Sequence, residues 1–136
     1  MNHMTQIKII IIAIGLLVGC QPTEHSEMAE QQGAVKVTIM YPNAEDKTFD
    51  IAYYSPKHMP MLAELFGDKM TSYQIDEGIA GRTPDDQIPF LAIGYMYFDK
   101  LSDYQEVFAP NRETILNDIP NYTNIRPIVQ ISNVVK

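Results

Sequence analysis

The sequence predicts an α+β domain whose elements run β-α-β-β-α-β, the split pattern of ferredoxin-like folds. Three observations carry that prediction. Residues 35–41 (VKVTIMY) alternate, with Val35, Val37, Ile39 and Tyr41 on one side, the period of a half-buried strand. Residues 50–66 carry Ile51, Tyr54, His58, Leu62 and Leu65 at spacings of three or four, so these share one helical face. Residues 90–98 (FLAIGYMYF) are apolar on both faces, and a strand of that kind needs cover on both sides.

Each element has its own justification. The first strand stops at Pro42-Asn43. Asp50 can cap the first helix and Gly67 can end it. Pro56 and Pro60 fall inside that stretch, which predicts a second segment opening at Pro56, with Ser55 as its cap and Pro60 in its first turn. Met70 to Ile79 alternates weakly through Tyr73 and Ile75 and reads as a polar strand. Gly78, Gly81 and Thr83-Pro84-Asp85-Asp86 form a loop before the apolar strand 90–98. The second helix spans about 101–117, with Ser102 and Gln105 spaced as a capping box and Pro110 marking a break. Residues 119–123 are a loop, and the last strand is 128–135, with Val129, Ile131 and Val135 facing one way.

Two helices cover only one face of such a sheet. The other face would leave the apolar content of 90–98 bare, so the pattern predicts a homodimer packed sheet on sheet. Composition narrows the function. The 136 residues allow one domain, and 46% hydrophobic with 20% charged residues is a globular balance. A net charge of −7 with no cluster of Lys or Arg speaks against nucleic-acid binding.

The front end reads as an address. Lys8 precedes the apolar run Ile9 to Val18, which is too short to span a bilayer. It closes in Leu17-Val18-Gly19-Cys20, which resembles a bacterial lipobox, and Cys20 is the only cysteine. Residues 1–19 are thus expected to be a lipoprotein signal peptide, and Cys20 the lipidated residue. Several acyl chains, at about 0.8 kcal/mol per buried methylene, make a stable membrane anchor. Residues 20–34 are expected to form a polar tether with His25 solvated, and the domain is expected to be 35–136. Gln21 after the cysteine resembles the outer-membrane sorting signal of enteric bacteria. The expected location is the cell envelope, on the periplasmic side of the outer membrane.

Several segments together resemble the EthD proteins of the dimeric α+β barrel group. They are Val37 to Asn43, Phe49-Asp50, Tyr53-Tyr54 followed by His58-Met59-Pro60, Ala92 to Phe98, Asp118-Ile119-Pro120-Asn121-Tyr122-Thr123, and Pro127 to Ser132. The resemblance covers roughly 35–136. It implies a ferredoxin-like protomer dimerising into a barrel, and the family-level label of reductase or oxidoreductase. Related barrels include cofactor-independent monooxygenases, lactone isomerases and polyketide cyclases.

His58 is the strongest candidate for chemistry, since it shares a face with apolar residues and an imidazole titrates near neutrality. Its other reading is a core histidine satisfied by a carbonyl or a tyrosine. Tyr54, one turn earlier, is a candidate to orient His58 or a ligand oxygen through its hydroxyl, or else a half-buried aromatic. Ile51, Leu62 and Tyr95 are the expected lining of a helix–sheet pocket, though Tyr95 and Tyr97 also suit dimer-core packing. Asn121 and Tyr122 are explained by a turn with one ring folded onto the domain. No nucleotide, metal or hydrolase motif is present, so no cofactor and no metal site are expected. The expected function is acid–base or oxidoreductase-like chemistry on a small hydrophobic, carbonyl-bearing or aromatic molecule, with His58 as general acid or base. The alternative is a non-catalytic small-molecule-binding or accessory lipoprotein.

Overall fold

The computed structural model describes residues 31–136. The expected signal peptide and Cys20 lie outside the described residues, as does most of the tether. Among the described residues no helix is long and apolar enough to cross a membrane.

Four antiparallel strands form one sheet in the order β2-β3-β1-β4: β1 (Val35–Pro42), β2 (Met70–Glu77), β3 (Phe90–Phe98) and β4 (Ile128–Asn133). The first helical rod lies between β1 and β2. The second, α3 (Leu101–Asp118), lies between β3 and β4. This is the ferredoxin-like α+β arrangement, and β1 and β3 occupy its centre.

The first rod does not restart at Pro56. Helix α1 (Ile51–Tyr53) runs into a π-helical turn, Tyr54–His58, and on into α2 (Met59–Phe66), with right-handed helical dihedrals across both junctions. The prolines explain the turn. Pro56 has no N–H to give the carbonyl four residues back, and its ring crowds that carbonyl in α geometry. Widening the turn relieves this, and the Met59 N–H reaches the Tyr54 carbonyl five residues back. Asp50 caps the rod as expected, its carboxylate accepting from the Tyr53 N–H at 3.1 Å. Gly67 ends it at φ +53°, a left-handed conformation that suits glycine.

Helix α3 corrects two further expectations. Its cap is Lys100, which makes no side-chain capping bond, so the Ser102–Gln105 box does not form. Pro110 sits inside the helix without ending it.

Strand register fixes which side chains share a face, because residues directly opposite point the same way. Tyr41 is paired with Ala92, Ile39 with Gly94 and Val37 with Met96. These face the helices, and Tyr54, Met59, Leu62 and Phe66 of the first rod and Ile115 of α3 close over them as the core. Thr38 is paired with Tyr95 and Met40 with Ile93, and these face away from the helices. The first rod and α3 both lie over the helix-facing side, so the outer face carries only its own side chains.

Candidate functional site

The site is built where the loop after α3 is stitched to the start of the first rod. The Asp50 N–H donates to the Tyr122 carbonyl at 2.7 Å, and the Thr123 hydroxyl donates to the Thr48 carbonyl at 2.6 Å. Phe49 and Thr123 form an isolated antiparallel bridge. These bonds hold the Tyr122 ring inside the domain, where it is buried against Tyr41, Tyr54 and His58.

His58 lies at the end of the π turn and is 3% exposed. Its Nδ1 is 2.7 Å from Asp118 Oδ2, at the end of α3. Asp118 Oδ1 accepts from the Tyr53 hydroxyl and from Asn121 Nδ2, each at 2.8 Å. The far ring nitrogen, Nε2, is 3.3 Å from the Tyr122 hydroxyl, and that hydroxyl is 2.9 Å from the hydroxyl of Tyr41.

Charge orders the chain. Burial pushes the Asp118 carboxyl up, but the bonds from His58, Asn121 and Tyr53 outweigh it and hold the group below its ordinary range. Burial pushes the His58 imidazole down, and the opposing pull of Asp118 does not restore it. The resting state is therefore a carboxylate beside a neutral imidazole. A carboxylate only accepts, so the imidazole proton sits on Nδ1 and Nε2 presents its lone pair. Tyr122 then donates to Nε2 and accepts from Tyr41. Burial raises both phenols, Tyr41 and Tyr122, which keeps them protonated donors.

A cleft of about 100 Å³ opens beside this chain. His58, Tyr41 and Tyr122 stand at one end, and Ile39, Leu62, Phe66, Met96, Phe108 and Ile115 are among its walls. No Lys, Arg, Asp or Glu lines it. It runs toward the gap between α3 and β4, where Leu116 and Val129 are 37% and 50% exposed. A larger depression near 720 Å³ lies over the 48–50 and 119–126 segments, but it is an open surface hollow, and of the linked side chains only Tyr122 and Asn121 line it; His58, Asp118 and Tyr41 do not.

The residues singled out from sequence divide accordingly. His58 and Leu62 line the cleft. Ile51 packs at the edge of the core and is not in the lining. Tyr95 belongs to the outer face, because it is paired with Thr38, and the sheet separates it from His58. Tyr54 is fully buried and its ring stacks on His58, with centroids 5.4 Å apart. Its hydroxyl has no hydrogen-bond partner, so it does not orient His58 as expected. That hydroxyl is aimed at Gly94, where an added Cβ would lie 2.2 Å from it. The residues that sequence reasoning missed as site members are Asp118, Tyr41 and Tyr122, along with Tyr53 and Asn121 behind them. The signals for them were three segments of the family resemblance: Val37 to Asn43, which holds Tyr41, the Tyr53-Tyr54 pair, and Asp118 to Thr123.

Fold and site together define a ferredoxin-like α+β protein with a buried carboxylate–histidine–tyrosine chain at the end of an apolar cleft. The chain belongs to the EthD domain family, whose model matches residues 42–125. No curated protein matches it. Among solved structures it is similar to an EthD-like protein from Ralstonia eutropha, at 37% identity and a TM-score of 0.74, covering 77% of this chain and 95% of that one. It is also similar to an EthD family protein from Bacillus halodurans, at 16% identity and a TM-score of 0.51, covering 74% and 97%. A protein from Arabidopsis thaliana solved in solution gives 11% identity and a TM-score of 0.51, covering 76% and 89%. The last two likenesses speak for the fold alone.

Proposed function

We propose that this EthD-domain protein removes a proton from a small, uncharged, largely apolar molecule next to its carbonyl or phenol oxygen, with His58 as the final proton acceptor. The observation that carries this reading is the 2.7 Å contact between His58 Nδ1 and Asp118. It fixes the tautomer, with the proton on Nδ1 and a basic Nε2, while burial keeps the ring neutral, and it stabilises the imidazolium that forms on proton uptake. The uncharged lining of the cleft favours a neutral substrate, since an ion there would lose its hydration without gaining a counter-charge. The oxidoreductase label implied by the family resemblance fits the same first step. Proton removal leaves an electron-rich enolate or phenolate, the form an oxidant attacks.

One sequence feature and one structural feature complete the proposal. The lipobox-like segment ending in Cys20 supports anchoring to the cell envelope. The outward-facing Met40, Ile93 and Tyr95, together with Ile128 at 53% exposure, support a homodimer formed across that sheet face. A second reading, a binding or accessory lipoprotein, is favoured by one observation: both ring nitrogens of His58 already have partners inside the protein.

Hydrogen–deuterium exchange separates the two readings without knowledge of the physiological substrate. Cyclopentanone is incubated with the domain in deuterated buffer, and loss of its α-protons is followed by proton NMR. The catalytic reading predicts exchange above buffer that falls by roughly 10²–10⁴-fold in His58→Gln. Exchange at the buffer rate with wild-type protein would favour the binding reading.

A further inference from the structure

We propose that Tyr122, and not His58, is the residue that meets the substrate, passing the proton inward to the imidazole. This rests on the reading of His58 as a proton acceptor. The Nε2 atom has a single lone pair, and the Tyr122 hydroxyl at 3.3 Å already uses it. The other ring nitrogen is committed to Asp118. A substrate in the cleft therefore has no open atom of His58 to reach. The Tyr122 oxygen is different. It gives its own proton to His58 and accepts one from Tyr41 at 2.9 Å, which leaves one lone pair free. Tyr122 lines the cleft beside His58 and Tyr41, and the stitched 119–123 loop fixes its ring.

A substrate C–H bond adjacent to the carbonyl, or a phenolic O–H bond, breaks. Its proton forms the new O–H bond on Tyr122 while the former Tyr122 proton moves to His58 Nε2. The electron pair stays on the substrate as enolate or phenolate, and the imidazolium rests against the Asp118 carboxylate. Tyr122 ends the step as a neutral phenol, so the relay needs no tyrosinate in the buried site. Reprotonation of the product runs the same path backwards. Tyr41 is a positioning residue in this scheme: its bond occupies one acceptor site of Tyr122 and aims the other.

Cyclopentanone exchange is again the test, with wild type, His58→Gln and Tyr122→Phe compared after thermal unfolding has checked that each is folded. The relay predicts that Tyr122→Phe lowers kcat by roughly 10²-fold or more with KM within about threefold, since the ring that shapes the cleft remains. Replacing Tyr122 by difluorotyrosine keeps ring and hydroxyl but makes the phenol more acidic, so kcat should change although packing does not. Exchange that His58→Gln abolishes and both Tyr122 variants leave within twofold of wild type would overturn the relay while leaving His58 as the acceptor. Wild-type exchange no faster than buffer would instead remove the acceptor reading itself, and the relay with it.

Discussion

Tyrosines stand on both faces of the sheet, on neighbouring strands, in different circumstances. Tyr41 faces the helices, is 1% exposed, and joins a chain that ends on Asp118. Tyr95 faces outward on the next strand, with the Lys36 ammonium 5.6 Å from its ring centroid, and is pushed up to about 12 by partial burial and by Asp76. Residue type is the same, so the difference lies in what each face supplies. The helix side brings a carboxylate and an imidazole from remote parts of the chain together in a largely buried space. The outer side brings a half-buried surface suited to another surface of its kind. The proposed acid–base chemistry belongs to the first and the proposed assembly to the second.

Separate variants can break that division. The largest effect should come from Ile93→Lys on the outer face. Asp76, paired with Ile93 across β2, accommodates the new ammonium within a protomer, whereas a sheet-on-sheet dimer would have to bury it. About 3 kcal/mol or more of penalty raises the dimer dissociation constant by roughly 10²-fold or more, readable by sedimentation. Circular dichroism and ketone exchange per protomer should stay near wild type. Loss of exchange together with the dimer would show that the two faces are not independent.

Gly94→Ala should be next. Its Cβ would fall 2.2 Å from the Tyr54 hydroxyl, in a core with no room to yield, at a cost of about 1–3 kcal/mol in urea unfolding. Adding Tyr54→Phe deletes the offending oxygen and leaves the ring carbon at 3.4 Å, so most of the loss should return. Additive effects in this double-mutant cycle would contradict the packing described for Tyr54. By itself Tyr54→Phe should be neutral or stabilise by up to about 1 kcal/mol, because the hydroxyl it removes is buried without a partner.

Between these effects stands the pH dependence. His58 is lowered in the folded protein, so between its folded value and the ordinary 6.5 the unfolded chain binds more protons. Stability contributed by keeping the ring neutral is full above pH 6.5 and is lost as pH falls through that window. Asp118, lowered beneath its ordinary 3.8, adds a second loss below that pH. Denaturation midpoints measured from pH 8 to 3 should show both, and His58→Gln should remove the upper one.

Local pattern carried much of the fold and little of the site. The bounds of β3 and the start of β1 follow from apolar runs and alternation, which burial imposes residue by residue. The same uniform apolarity left the facing of Tyr95 undecided, since a strand apolar on both sides has no period to read. Only its register opposite Thr38 settles that. Pro56 signalled a break because proline forbids an α turn, but a π turn satisfies the same constraint without interrupting the rod. The contacts that make the site are long-range: Tyr41 and Tyr122 are 81 positions apart, and His58 and Asp118 are 60 apart. No spacing rule reaches that far. Only the segments of the family resemblance, Asp118 to Thr123 above all, pointed to it.

Everything proposed for the site depends on His58 resting as a neutral ring with its proton on Nδ1 and its lone pair on Nε2. Long-range proton–nitrogen NMR on histidine-labelled protein reads this directly. At pH 7 the spectrum should show an Nδ1–H resonance deshielded by Asp118, with an unprotonated shift for Nε2, both persisting when the pH is lowered to about 6.5. A proton on Nε2, or two protonated nitrogens at neutral pH, would contradict it.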